Sequence, residues 1–294
     1  MNKIVLAGGT GFVGKYIASK FRVRGDKVII VSRAEGDVRW SDRDALVKAL
    51  EGADVVINLA GKSVDCRYNE SNKREILLSR RETTRTIGDV ILSCKKPPKL
   101  WINSSTATIY RHAEDRPMTE EEGEIGKGFS VKVATEWEAS FFRFNLPHTR
   151  QLALRMAIVL GKNGGVMQPL TRLVKFGLGG KQGPGNQVFS WIHIEDVFQI
   201  ILFAMEQDGV AGVVNCSSPN PVTNGELMKT LRKQLHVPFG MPSPEWLLEI
   251  GAVVIRTETE LLLKSRWVLP QRLLTAGYVF RYPTLTCALE EIIN

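Results

Sequence analysis

Cysteine is scarce in this chain. Four residues in 294 (Cys66, Cys94, Cys216, Cys287) are scattered, with no CxxC pair and no metal-ligand spacing. That excludes a disulfide scaffold and leaves no metal site to expect; reduced thiols in a cytoplasmic compartment are the expectation for a chain this large. No apolar run approaches the ~20 residues that span a bilayer, so no membrane association is expected. The opening MNKIVLAGGT carries one lysine and a short apolar run that leads into glycines. A signal peptide needs a longer apolar core and a cleavage site, so this run is expected to be the first strand.

Acidic residues are missing from one long stretch. Between Ala139 and Ile194 there is no Asp or Glu, yet Arg143, Arg150, Arg155, Lys162, Arg172, Lys175 and Lys181 all lie there. The net charge of +8 is therefore concentrated, with 32 basic residues left elsewhere to face all 31 acidic ones. The stretch lacks the aromatic interleaving and Arg-rich helix of a nucleic-acid reader, so the expected partner is an anionic small molecule in a cleft. A solvated basic face is the alternative.

What is present is a strand, a glycine turn, a helix and a second strand. KIVLA (3–7) is followed by GGTGFVG, then a helical face of Phe12, Val13, Tyr16, Ile17 and Phe21, a stop at Gly25, and KVIIVS (27–32). In that setting Gly9-x-Gly11-x-x-Gly14 has a mechanism, namely a tight turn and backbone amides close to a pyrophosphate at a helix start. The second strand ends Ser32-Arg33, with no acid until Glu35. An NAD site wants a carboxylate there for the ribose 2′-hydroxyl, whereas a hydroxyl and a guanidinium fork suit a 2′-phosphate, so NADP(H) is expected. SDRDALVKALEG reads as a helix capped by Ser41, and DVVINLAG as a buried strand ending Asn58-Leu59-Ala60-Gly61, where small residues let a cofactor pass close by. A long helix from about Asn72 to Cys94 follows, then the strand LWINSSTATIY (100–110).

The second half reads as a returning strand over 149–161, a helix between glycines, and a loose KQGPGNQ stretch placed as a lid. Asp196 and Gln199 fit a capping box, as do Thr223 and Glu226. From Val237 the composition turns to Pro-rich turns and short helices. The expected architecture is a Rossmann-type doubly wound α/β parallel sheet over 1–236, with a small, mostly helical lobe over 237–294 on the substrate side.

Together these pieces resemble the extended short-chain dehydrogenase/reductase family. Gly8, Gly11 and Gly14 match its GxxGxxG, and Ser104-Ser105-Thr106 before Ala107-Thr108-Ile109-Tyr110 matches its hydroxyl cluster. LRMAIVLGKNGG, FSWIHIEDV and PQRLLTAGYVFRYP are similar to an atypical branch, the epimerase family proteins with a C-terminal domain of unknown function. The resemblance implies bound NADP(H), with contacts at Thr10, Gly11, Phe12, Val13, Ser32, Arg33, Leu59, Ala60, Glu75, Arg80 and Val159. On residue chemistry alone, Glu75 and Arg80 read better as an exposed helical Glu and Arg five apart.

The wider family works through Tyr-x-x-x-Lys, in which tyrosine exchanges a proton and lysine lowers its pKa. Aligned on Trp137-Glu138, FSVKVATEWE (129–138) has Ser130 and Ala134 at those places, and Lys132 lies two residues off, about 200° around the helix. That helix is expected to be structural. Ser105, Thr106 and Tyr110 remain as catalytic candidates, while His193 is expected to be a satisfied structural histidine. Two functions follow as expectations: an NADP(H)-dependent oxidoreductase or epimerase, or a non-catalytic NADP(H)-binding sensor. Neither a substrate nor an oligomeric state can be read from these residues.

Overall fold

The structure is a computed structural model that describes residues 1–162, 164–243 and 264–294. Strands β1 (Lys3–Ala7), β2 (Lys27–Ser32), β3 (Val38–Arg39), β4 (Val55–Asn58), β5 (Leu100–Thr106), β6 (Arg150–Met156) and β10 (Gly212–Cys216) form one sheet in the order β10-β6-β5-β4-β1-β2-β3. Every pairing in it is parallel. All seven strands therefore present their C-terminal ends along one edge, and the order reverses at β1, where a doubly wound sheet opens its ligand crevice.

The alternation in KIVLA shows how the two faces are built. Ile4 and Leu6 point into one core with Ile17 and Phe21 of α1 (Phe12–Val23) and with Phe198 and Ile201 of α6 (Ile194–Glu206). Val5 and Ala7 point into the other, against α2 (Arg43–Leu50), α3 (Glu70–Ser93) and α4 (Phe129–Phe142). A third cluster joins α5 (Met167–Lys175), α7 (Asn224–Gln234) and the last helix, α9 (Leu285–Ile293).

The chain after residue 264 is stitched into the body. Met118 N donates to Trp267 O at 2.7 Å and Leu269 N to Met118 O at 3.0 Å. After the short α8 (Gln271–Thr275), Tyr278 and Phe280 enter the first core. The expected short helices of VPFGMPSPEWLLEIGAVV and TELLLKS lie for the most part outside the described residues. Among the described residues no helix is long and apolar enough to cross a membrane, no His, Cys, Asp and Glu residues cluster as metal ligands, and all four cysteines are free.

Several local expectations are corrected. Asp42, not Ser41, caps α2, accepting from Ala45 N. The 149–161 strand breaks at Ala157: β6 stays in the main sheet, and β7 (Ile158–Leu160) pairs separately with β9 (Trp191–His193), which follows the short β8 (Val188–Phe189). KQGPGNQ is fastened rather than loose. Gln182 N donates to Asn224 Oδ1, Gln187 Nε2 to Gln182 O, and Gly225 N to Gly185 O, at 2.8 to 2.9 Å. The seven cations do not form one wall. Arg150 sits at the start of β6, at the far end of the sheet from the glycine loop, and Arg155 is buried in an internal pair.

The expected capping box of α6 is replaced by a histidine cap. His193 Nδ1 accepts from Glu195 N at 3.2 Å, which leaves the proton on Nε2 facing Glu291 Oε2 at 3.0 Å. Asp196 instead accepts from Arg281 N, Tyr282 N and the Tyr278 hydroxyl, tying the C-terminal segment to α6. Thr223 and Glu226 do form their box.

Burial lowers the His193 pKa, outweighing the opposing pull of Glu291, Asp196 and Glu195. A neutral histidine in the fold is thus set against one that charges readily in the unfolded chain near pH 6.5. Stability from this cap is fully present above that pH and is lost as pH falls below it toward the lower folded value. Chemical denaturation at about pH 7.5 and 5.5 should show a loss of order 1 kcal/mol in the native chain, the worth of a cap. His193→Asn keeps a capping acceptor without titrating and should remove that part of the slope.

Candidate functional site

The glycine loop is shaped by close approaches at two glycines. Gly8 has φ of 79°, and a Cβ there would stand 2.7 Å from the Leu59 carbonyl carbon, where β4 ends. A Cβ on Gly14 would lie 2.3 Å from Gly8 O, so α1 packs against the loop only without a side chain. Gly9 is buried between them, and Thr10 and Gly11 face outward. Gly11 caps α1 with no side-chain bond, and the first turn (Phe12, Val13, Gly14) holds no acid. The positive end of the helix is left for an anion.

At the end of β2, Ser32 is 7 % exposed and its Oγ has no hydrogen-bond partner. A buried hydroxyl without a partner is costly unless something fills the role. Arg33 follows on the surface. One acid comes closer than Glu35 suggested: Asp37 folds back, but its carboxylate accepts from Ile30 N at 2.7 Å. It is committed to the backbone, so the strand end itself offers a hydroxyl and a cation, with Glu35 exposed in the turn beyond.

At the end of β4, Asn58 sets the turn that carries Leu59 and Ala60. Its Nδ2 donates to Asn103 Oδ1 at 2.7 Å and its Oδ1 accepts from Ala60 N at 3.1 Å. Arg80 of α3 reaches this turn. Its Nη1 donates to Lys62 O and Ile76 O, both at 3.0 Å, and its guanidinium lies 5.0 Å from the Trp137 ring centroid. Burial pulls its pKa down to about 10, and no carboxylate pairs with it among the described residues. Such a cation suits an anionic ligand. Glu75, by contrast, is exposed and paired with Lys62.

Of the catalytic candidates, Ser105 and Thr106 end β5, and Tyr110 follows a short 3-10 turn (Ala107–Ile109) beyond it. Ser105 is 2 % exposed and donates to Glu138 Oε1 at 2.5 Å. Tyr110 is 1 % exposed; its hydroxyl donates to Asn215 Oδ1 and accepts from Arg155 Nη1, both at 2.9 Å. Burial raises its pKa against the lowering effect of Arg155. Thr106 alone stays half-buried at the strand end, accepting from Thr108 N at 3.1 Å. Val159, in β7, is half-buried beyond β6. Lys264 places its ammonium 3.1 Å from Thr108 O, a cation at this edge that the sequence did not single out.

Helix α4 begins at Phe129, with Ser130 in its first turn. Ala134 is wholly buried, and Lys132 is exposed near Glu136 at 3.9 Å. Neither the acid nor the lysine of Tyr-x-x-x-Lys has a substitute at its own place on this helix. Asn58, Asn103, Glu138 and Arg155 escaped sequence reasoning. For Glu138 there was one signal, since it lies four residues beyond Ala134 and so on the same face.

Comparison with known proteins agrees with this geometry. The profile of the NAD dependent epimerase/dehydratase family matches residues 4–217, and a domain of unknown function, DUF1731, matches 243–292. The chain is 34 % identical to the human epimerase family protein SDR39U1 over 294 residues, covering 99 % of each. It is also 34 % identical to the epimerase family protein YfhF of Bacillus subtilis, covering 99 % of this chain and 97 % of that one. The crystal structure of human SDR39U1 with NADPH superposes with a TM-score of 0.89 at 33 % identity, covering 99 % and 98 % of the two chains. A Bacillus cereus UDP-N-acetylglucosamine 4-epimerase, at 18 % identity and a TM-score of 0.76 over 100 % of this chain and 96 % of that one, shares the fold. With a glycine loop, a seven-stranded sheet and a C-terminal segment all matched, the chain belongs to the NAD dependent epimerase/dehydratase family.

Proposed function

We propose that this protein is an NADP(H)-dependent oxidoreductase or epimerase that acts on an anionic small molecule. One observation carries the cofactor preference: the buried, partnerless Ser32 hydroxyl stands beside Arg33 while Asp37 is turned onto Ile30 N. A 2′-phosphate would satisfy both groups. The amides after Gly11 would take the pyrophosphate, and the Leu59–Ala60 turn with Arg80 would hold the middle of the dinucleotide. The human relative, matched over nearly its whole length, has a crystal structure with NADPH, which supports the same reading.

When bound, the nicotinamide supplies hydride transfer. This chain's own part is to orient, and Thr106, whose oxygen accepts from Thr108 N, is the half-buried hydroxyl at the strand end. The anionic substrate is supported by the Lys264 ammonium beside Thr108 O and by the exposed Lys162, Lys175 and Lys181. A second reading, a non-catalytic NADP(H) sensor, is favoured by the fully buried Ala134 where a lysine would work.

Mass spectrometry of the copurified nucleotide, followed by a screen of anionic carbonyl and sugar compounds on nicotinamide absorbance, separates the two. Consumption of NADPH with any compound, or an epimerised product found by product analysis with no net NADPH loss, supports the enzyme; binding with neither across the screen supports the sensor. In either case Ser130→Ala should change NADPH affinity, and any turnover, by no more than about threefold, or ~0.7 kcal/mol. Loss of turnover in a folded Ser130→Ala protein would make α4 an active-site element.

A further inference from the structure

Ser130, Ala134 and Glu138 follow one another at four-residue spacing along one face of α4. The third carries a carboxylate that is 8 % exposed. Arg155 grips it with both arms of its guanidinium, Nε to Oε1 at 2.8 Å and Nη2 to Oε2 at 2.7 Å, and Ser105 Oγ donates to the same Oε1. On its other side Arg155 Nη1 donates to the Tyr110 hydroxyl, which donates to Asn215 Oδ1, and Asn215 Nδ2 donates to Leu269 O at 2.9 Å. One run of bonds therefore links β5, α4, β6, β10 and the C-terminal segment just before α8.

A buried ion pair contributes little net stability, because desolvating two charges offsets most of their attraction. What the bidentate geometry does supply is a fixed position. Here it fixes the end of β5. Neighbouring strand residues point to opposite faces, so clamping the Ser105 side chain on Glu138 also sets the direction of Thr106. β5 lies on the β4–β5–β6 side of the crevice, opposite Ser32 and Arg33, and is therefore the nicotinamide side.

We propose that Glu138 and Arg155 are positioning residues: their buried pair holds the Ser105–Thr106 end of β5 beneath the nicotinamide half of bound NADP(H) and ties it to Leu269 of the C-terminal segment. The assignment rests on the cofactor reading above.

The test titrates NADPH into the full-length protein and records both affinity and the fluorescence lifetime of the bound nicotinamide. The native protein should bind NADPH and lengthen that lifetime relative to free NADPH. Glu138→Leu/Arg155→Met replaces the pair by apolar side chains of similar size and should fold, as such exchanges commonly do. It should keep its affinity within about threefold, since the phosphate contacts lie at the other half, and lose the lifetime gain. Glu138→Gln should shift the lifetime in the same direction. A folded double variant with the native lifetime would overturn the assignment. So would failure of both variants to fold, because the pair would then be holding the fold and not a site. A native protein that binds no NADPH would instead overturn the cofactor reading on which the assignment stands.

Discussion

Trp137→Ala is expected to destabilise the protein by ~3–5 kcal/mol, the usual cost of removing a buried aromatic side chain. The indole is 5 % exposed on α4, and its Nε1 donates to Thr84 Oγ1 at 2.9 Å. That hydroxyl also accepts from Asn58 Nδ2 at 3.2 Å and donates to Asn103 Oδ1 at 3.3 Å, so both its lone pairs and its proton are engaged. Alanine would leave a cavity between α3 and α4 and open a buried network that reaches the end of β4. It would also remove the ring on which Arg80 stacks. NADPH affinity should therefore fall along with stability. Trp137→Phe keeps an aromatic ring but loses the N–H and part of the indole's volume, so its cost should fall between the ~1 kcal/mol of a lost hydrogen bond and the alanine value. Chemical denaturation of the three proteins decides this. A loss below about 1 kcal/mol for Trp137→Ala would mean that the side chain is not the packing anchor of this helix.

Much of the cofactor side was legible because its signals are local. KIVLA is a short apolar run, the glycines follow within seven residues, and Val13, Ile17 and Phe21 repeat at helical spacing; a strand–turn–helix unit then leaves little choice of topology. The Ser32-Arg33 strand end was visible for the same reason. The features that escaped are set by tertiary partners. Glu138 and Arg155 lie seventeen residues apart, on a helix and on the next strand. Nothing in the local pattern of either reveals the other. Asp196 looked like a cap because its spacing allows one, but the returning C-terminal segment claims its carboxylate and His193 takes the cap. The acid-free stretch looked like one field along the sequence. The fold sends Arg150 to the far end of the sheet and Arg155 into the interior, leaving only part of that charge at the surface. Tyr110 and Ser105 kept the right chemistry for a catalyst on paper, and burial with full hydrogen bonding removes them from solvent.

NADPH is expected to bind at least about tenfold more tightly than NADH, a difference of ~1.4 kcal/mol. The extra phosphate would meet the Ser32 hydroxyl, which has no partner within the protein, and the Arg33 guanidinium, at the end of β2 where the Asp37 carboxylate is turned onto Ile30 N. NADH brings a hydroxyl to the same place, leaving Ser32 partly satisfied and Arg33 without its anion. Arg33→Asp puts a carboxylate at the strand end, repelling a 2′-phosphate and accepting from a 2′-hydroxyl. The preference should then vanish or invert, with little change in fold because Arg33 is exposed. Calorimetric titration of both nucleotides into the native protein and into Arg33→Asp is the measurement that bears on the central claim. NADPH at least about tenfold tighter in the native protein, and parity or reversal in the variant, is the expected result. Equal affinities for the two nucleotides in the native protein would contradict the assignment of NADP(H) to this site.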